Sequence, residues 1–191
     1  SPACPSSQAE NRAATSYLVV TNYSKWTAAR KYGQGMSHFT QVVFDEAHSA
    51  VDAVANAMQV TLRRKEIEET LGVNFPFHTE AQEMVNWKEW AYDAYAEAQA
   101  KADAARKKVQ GTDPKPAWVR HYLHMKMLAK RLGTLRTSTP AHWIVDEHKN
   151  HKGEEDGYQF DPLRPGRYTE AALLLRIPHV LFFSATIRPK T

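Results

Sequence analysis

A single cysteine, Cys4, stands among the 191 residues, so no disulfide can close within the chain. That scarcity suits a reducing compartment. Long apolar runs are missing too: nothing approaches the ~18 consecutive apolar residues of a membrane span, so no membrane partner is expected. The opening SPACPSSQAE has neither the basic start nor the apolar centre of a signal peptide. Its first residue is Ser rather than Met, which reads as a start inside a longer frame. Glycine is sparse, and no G-x-x-x-x-G-K-[ST] occurs, so the backbone loop that cradles nucleotide phosphates is not encoded here. No internal repeat of 20 to 50 residues is present.

Apolar residues make up 42% and charged residues 24%, a composition able to bury a core in one domain or one domain with a sizeable insertion. Net charge is +4, unevenly placed. Residues 61–100 carry four Lys/Arg against eight Asp/Glu; residues 101–140 carry ten against two. The positive charge is thus concentrated in one segment, as a surface facing a polyanion would require.

Three short apolar runs read as buried strands: YLVVT at 17–21, QVVFD at 41–45 and HVLFFS at 179–184. Each is followed by helix-compatible sequence, which suggests βαβ units and a parallel sheet. One helix is expected from Ser24, as N-cap, to Gly33. A second is expected over SAVDAVANAMQVTL, 49–62. From 63 to 140 strand signals vanish. Thr79 with Gln82 makes a capping box for a helix reaching Gln110. Its apolar face is Met84, Trp87, Ala91, Ala94, Ala98, Ala102, Ala105 and Val109. GTDPKP breaks it, and a second helix spans Pro116 to Arg136, the two forming an antiparallel hairpin. HWIVDE and YQFDPL then read as short strands around a mobile polar loop, HKNHKGEEDG, with a helix near Tyr168–Arg176 before the last strand. The fold class expected is α/β, a parallel sheet interrupted by a mainly helical excursion. Its boundaries fall at 1–62, 63–140 and 141–191.

The chemistry concentrates at D-E-A-H, 45–48. Adjacent carboxylates at the carboxyl end of a central parallel strand face the crevice where such sheets bind ligands. Nucleotide hydrolysis needs one acid to hold Mg²⁺ and a second group to orient or activate water. Asp45 and Glu46 suit those tasks. The last apolar run ends in Ser184-Ala185-Thr186, whose two hydroxyls can hydrogen-bond to neighbouring polar groups.

VVFDEAH followed by VLFFSAT resembles motifs II and III of superfamily 2 helicases of the DEAH-box type. The long helical stretch between them resembles the arch of the XPD and DinG group. So do the flanks: A-C-P, then VVTNY, whose Asn22 stands eighteen residues after Cys4, and FDPLRPGRYTEAALL before the last strand. The resemblance implies a partial RecA-like sheet of the P-loop NTPase type, with motor-domain portions at 1–62 and 141–191 flanking an arch-like insertion at 63–140. It also implies an ATP-dependent DNA helicase moving 5′ to 3′ on single-stranded DNA with ATP and Mg²⁺. By position, Asp45 would coordinate Mg²⁺, Glu46 would position or deprotonate the hydrolytic water, and His48 would sense the nucleotide. Ser184, Ala185 and Thr186 would couple hydrolysis to strand movement. Cys4 takes the place of an iron–sulfur ligand, although such a cluster normally needs four. Without a phosphate loop or second motor domain, this chain alone should not hydrolyse ATP. It needs the rest of the helicase motor as partner, in the cytoplasm or nucleoid, or the nucleus of a eukaryote.

Lys107, Lys108, Lys115, Arg120, Lys126, Lys130, Arg131 and Arg136 are the candidate DNA contacts. Trp118 and Tyr122, interleaved with them, fall on the apolar stripe and are expected in the hairpin core. His142, His148 and His151, near Asp146, Glu147 and Glu154, fit no zinc spacing and are taken as a polar surface loop, as are His121 and His124 on their helix. Two other readings stay open. One is a non-catalytic nucleic-acid-binding or protein-docking module built on 101–140. The other is a different superfamily 2 DNA translocase with an unrelated helical insertion.

Overall fold

The computed structural model describes residues 5–32, 38–76, 83–111, 115–174 and 176–185. The chain is mixed α/β and divides into two compact units, Ser1–Met58 with Arg164–Thr191, and Gln59–Leu163. No helix among the described residues is long and apolar enough to cross a membrane.

The first unit contains helices α1 (Pro5–Thr15), α2 (Tyr23–Tyr32) and α3 (Ala50–Met58), with strands β1 (Gln41–Phe44) and β5 (His179–Phe182). β1 and β5 pair in parallel, Gln41 opposite His179 through Phe44 opposite Phe182. Trp26, Ala29, Phe44, Val54, Leu173 and Ile177 form the core. The Trp26 indole N–H donates to Leu173 O at 2.9 Å, which satisfies the one polar atom of a buried ring and ties two distant parts of the chain together. Phe44 stacks on Tyr23 (5.4 Å between centroids) and on Phe182 (5.1 Å), and meets Trp26 edge-on at 6.1 Å.

The second unit is a three-stranded antiparallel sheet packed with helices. β2 (Val60–Arg63), β4 (Glu155–Pro162) and β3 (Trp143–Lys149) lie in the order β2-β4-β3. α4 (Arg64–Leu71) follows β2 directly, and α5 (Met84–Val109) and α6 (Pro116–Arg136) make a hairpin. Seven residues of the α5 stripe, Met84, Trp87, Ala91, Ala94, Ala98, Ala102 and Ala105, are buried. The alanines leave room for α6 to press Met125, Leu128, Leu132 and Leu135 against them. Burying each of those large side chains stabilises by about 1.5–3 kcal/mol. Trp87 anchors the sheet side, 4.9 Å from both Tyr158 and Phe160 and 5.2 Å from Phe75.

Several expectations need correction. YLVVT at 17–21 is not a strand: Tyr17 and Val20 are almost wholly exposed, and only Val19 packs on the core. β1 is not central, because it pairs with β5 alone among the described residues, leaving Val43 and Leu181 about half exposed. The helix expected to 62 stops at Met58, since Val60 and Leu62 alternate into the core as β2. The unit boundaries accordingly fall near 58 and 163 rather than 62 and 140, because β2, β3 and β4 share one sheet. α2 is capped by Asn22 rather than Ser24: the Lys25 N–H donates to Asn22 Oδ1 at 2.7 Å. α1 was not anticipated. The helix expected at 168–176 is instead a 3₁₀ turn, Pro165–Tyr168, followed by a π turn, Glu170–Leu174. The loop HKNHKGEEDG contracts to a turn in which Asn150 Oδ1 accepts the N–H groups of Lys152 and Glu154. The Thr79–Gln82 capping box and Gly33 lie outside the described residues.

Gly157 is required by the sheet. A Cβ there would lie 2.1 Å from Leu62 O and 2.8 Å from Arg63 Cα, so β2 can close onto β4 only over a glycine. Gly157→Ala should destabilise the chain by about 3 kcal/mol through forced strand separation, whereas Gly111→Ala, which meets no atom within 4 Å, should change stability by less than about 0.5 kcal/mol. Urea unfolding of the two variants measures the difference.

Candidate functional site

The parallel register sets the site, because both strands of such a pair end on the same rim. Two backbone bonds carry the pairing past the strands. The Phe183 N–H donates to Phe44 O and the Ala47 N–H donates to Phe183 O, each at 2.8 Å. Between those bonds the chain turns through Glu46, whose φ of 49° and ψ of 50° are left-handed. That conformation costs a non-glycine residue roughly 1–2 kcal/mol and is commonest where surrounding bonds enforce it. The Glu46 N–H donates to Asp45 Oδ1 at 2.8 Å, and Ser49 N–H donates to Glu46 O at the same distance.

This turn brings together residues 136 positions apart. His48 Nδ1 lies 3.1 Å from Ser184 Oγ and 3.2 Å from Glu46 Oε2. Asp45, Glu46, His48 and Ala185 are exposed, while Ser184 is half-buried. Thr186 and Cys4 lie outside the described residues. One participant was not read from the sequence: Tyr23 donates its hydroxyl to Asp45 O at 3.0 Å while its ring stacks on Phe44. Its only sequence signal is its place after VVTN. Burial raises the Tyr23 pKa, and the negative charges of Asp45 and Glu46 raise it further. A cleft of about 700 Å³ opens beside β1, walled by Tyr17, Val20, Phe39 and Val43, with Asp45 and Glu46 among its polar lining.

Among the described residues no three His, Cys, Asp or Glu side chains converge as a metal site. Magnesium is commonly held by one or two carboxylates together with water and substrate phosphate oxygens. The exposed Asp45–Glu46 pair fits that donor set. These histidines have other employment: His148 Nδ1 sits 2.5 Å from Asp156 Oδ1, and on α6 His124 Nε2 is 3.6 Å from Glu66.

The basic residues of the second unit separate into groups. Lys107, Lys108 and Arg120 are exposed, and Lys115 Nζ lies over the Trp118 ring, 5.4 Å from its centroid. Trp118 is therefore not a core residue; it is 40% exposed, since the hairpin core ends about two turns further along α6, with Met125 its first buried residue. Tyr122 is half-buried. Arg131 faces inward, donating to Glu66 through both terminal nitrogens and to Thr61 O at 2.9 Å, which gives it an internal role instead of a phosphate contact. Arg136 covers Tyr95 at 4.1 Å and Tyr92 at 5.2 Å. Lys126 and Lys130 line a groove with Arg106.

No protein-family model matches the sequence, and no curated protein matches it.

The raised tyrosine sets a pH dependence. A phenol whose folded pKa exceeds its unfolded value of 10.0 favours the folded state below that value and loses the advantage as pH rises through the folded pKa. Tyr158, also raised chiefly by burial and then by Glu155, behaves alike. Alkaline titration at the tyrosinate absorbance band should show a late component above pH 10. Tyr23→Phe should diminish that component, and an unchanged titration would contradict the placement of its hydroxyl.

Proposed function

We propose that this chain is part of an ATP-dependent DNA helicase, its first unit a portion of a RecA-like motor domain and its second an arch-like insertion. The observation that carries the reading is the meeting of two distant motifs: D-E-A-H and F-S-A end on one rim, with His48 and Ser184 in hydrogen-bond contact. A surface turn of no function has no reason to set a histidine, itself beside Glu46, against a hydroxyl 136 positions along the sequence.

On this reading Mg-ATP supplies the electrophilic phosphate and the charge neutralisation that phosphoryl transfer needs. The chain's own residues divide the remaining work. Asp45 presents its carboxylate to the metal, with Oδ1 steadied by the Glu46 N–H. Glu46 orients a water and accepts its proton at a carboxylate oxygen. His48 Nδ1, between Glu46 Oε2 and Ser184 Oγ, reports the state of that carboxylate to β5. The phosphate-binding loop must come from sequence this chain does not contain. Single-stranded DNA is the proposed substrate, and the cytoplasm or nucleoid (the nucleus in a eukaryote) the proposed location. The basic bias of 101–140 supports a polyanion at the second unit.

In a longer protein that includes the phosphate loop, Glu46→Gln should keep ATP affinity within about threefold while lowering turnover by ~10²-fold or more, the scale of a lost general base. Equilibrium binding of a fluorescent ATP analogue and steady-state phosphate release measure the two. Turnover equal to wild type would exclude Glu46 from the reaction.

A further inference from the structure

The cleft beside β1 in the first unit follows a strand edge that takes no partner among the described residues. In a parallel ladder every second residue turns both backbone groups toward the same neighbour. Thr40 O and Phe44 O accept from His179 and Phe183, so Gln41 and Val43 turn theirs away from β5. The cleft runs along that far edge, since all of β1 lines it and none of β5 does. Its opposite wall is the chain at 17–22, which is neither helix nor strand. No backbone bond joins that wall to Gln41 or Val43. Free edge groups of this kind are a template for another chain.

Both ends of the cleft are bridged in the same way. His38 Nε2 lies 3.3 Å from Ser16 O, the Tyr23 hydroxyl donates to Asp45 O at 3.0 Å, and each pair is 22 positions apart. The two walls therefore run in one direction and match step for step, 16–23 against 38–45. Each bridge passes through an aromatic side chain, which holds the backbones beyond the ~4.8 Å of paired strands. An extended chain from 38 to 45 covers roughly 23 Å at ~3.3 Å per residue. The cleft holds about 700 Å³, which over that length is a section of ~30 Å². That is room for one extended chain and not for a helix ~10 Å across. The walls are apolar on both faces: Val19 and Val42 pack on the core, while Val20 and Val43 stand 91% and 52% exposed. A strand between them needs apolar residues on both its faces, as inner strands of parallel sheets have.

We infer that this cleft is the seat of one further strand, an extended, β-branched apolar peptide segment running parallel to β1. It hydrogen-bonds to Gln41 and Val43 on one side and to the 17–21 wall on the other, the mode of recognition known as strand addition. The occupant is assigned to the longer protein that supplies the phosphate loop, and that source rests on the function proposed above. The slot itself rests only on the geometry of the two walls. Filling it turns YLVVT into a strand and places Asp45 and Glu46 at the end of an inner strand instead of an edge.

The test uses the 191-residue chain and a fluorescein-labelled peptide, GSTVVIVTSG, followed by anisotropy. Binding should saturate, and N-methylation of alternate peptide nitrogens, in either phase, should weaken it at least tenfold by blocking one ladder. Val20→Asp should also weaken it at least tenfold; with Val20 91% exposed in the empty cleft, the variant should fold as wild type by circular dichroism. Leu181→Asp, on β5 and away from the cleft, should change it less than threefold. In a Cys4→Ser background, the pair Val20→Cys/Val43→Cys should stay reduced under copper–phenanthroline. Two ladder spacings, ~9.6 Å, exceed the ~7 Å between Cα atoms that a disulfide spans. Ready disulfide formation would mean that 17–21 closes on β1 itself and would overturn the slot. No binding, equal binding of the N-methylated peptides, or an equal loss from Leu181→Asp would overturn it too. So would displacement of the peptide by adenosine, the mark of a nucleobase pocket. ATP turnover is not read in this assay, so failure of the slot and failure of the proposed ATPase site register separately.

Discussion

The reciprocal pair of backbone hydrogen bonds between Phe183 and the 44–47 turn is the constraint on which the candidate site depends. Phe183 accepts from Ala47 and donates to Phe44, both at 2.8 Å. The two strands are only four residues each, too short to hold their ends in register by length. These bonds extend the pairing across the strand ends and force Glu46 into its left-handed conformation. Aromatic stacking reinforces them: Phe44 lies between Tyr23 and Phe182 while its other contacts reach the core through Trp26. The turn is thereby fixed to the core from below and to β5 from the side. Exposed side chains can then be positioned without being buried, as Asp45, Glu46 and His48 are.

The second unit solves a different problem, that of packing two long helices with few large side chains on one of them. α5 uses a row of alanines, and α6 answers with methionine and leucines. Arg131 then fastens α6 to α4 through Glu66 and to β2 through Thr61 O. Small residues that let helices approach also open a groove where the opposing side chains are small or absent, as at Ala102, Ala129 and Gly133. The packing and the concavity therefore share one origin.

Much of this was legible in the sequence where periodicity ran long. The α5 stripe from Met84 to Ala105 and the span of α6 follow from spacing alone, because a regular apolar face over five or more turns has few other solutions. That D-E-A-H and Ser184 end on one rim was also legible, since parallel strands end together. What was missed depended on partners distant in sequence. Val60 and Leu62 form a strand because β4 pairs with it, Phe160 opposite Val60 and Tyr158 opposite Leu62, with Gly157 leaving room for the backbone at 62–63. YLVVT is apolar enough for a strand, yet a strand needs hydrogen-bonded neighbours, and the described residues give it none. Trp118 matched the apolar period but lies past the end of the hairpin core, where period no longer implies burial. Tyr23 and the inward turn of Arg131 each required knowing which groups lie nearby in space.

The central claim, that the rim shared by β1 and β5 is where a nucleotide is turned over, is tested most directly by a structure of a longer protein, with its phosphate-binding loop, bound to Mg²⁺ and a non-hydrolysable ATP analogue. The account predicts the metal at about 2.1 Å from an Asp45 oxygen or bridged to it by one water, with Glu46 facing the terminal phosphate and His48 still against Ser184. A nucleotide bound elsewhere, with Asp45 and Glu46 facing bulk solvent, would contradict it.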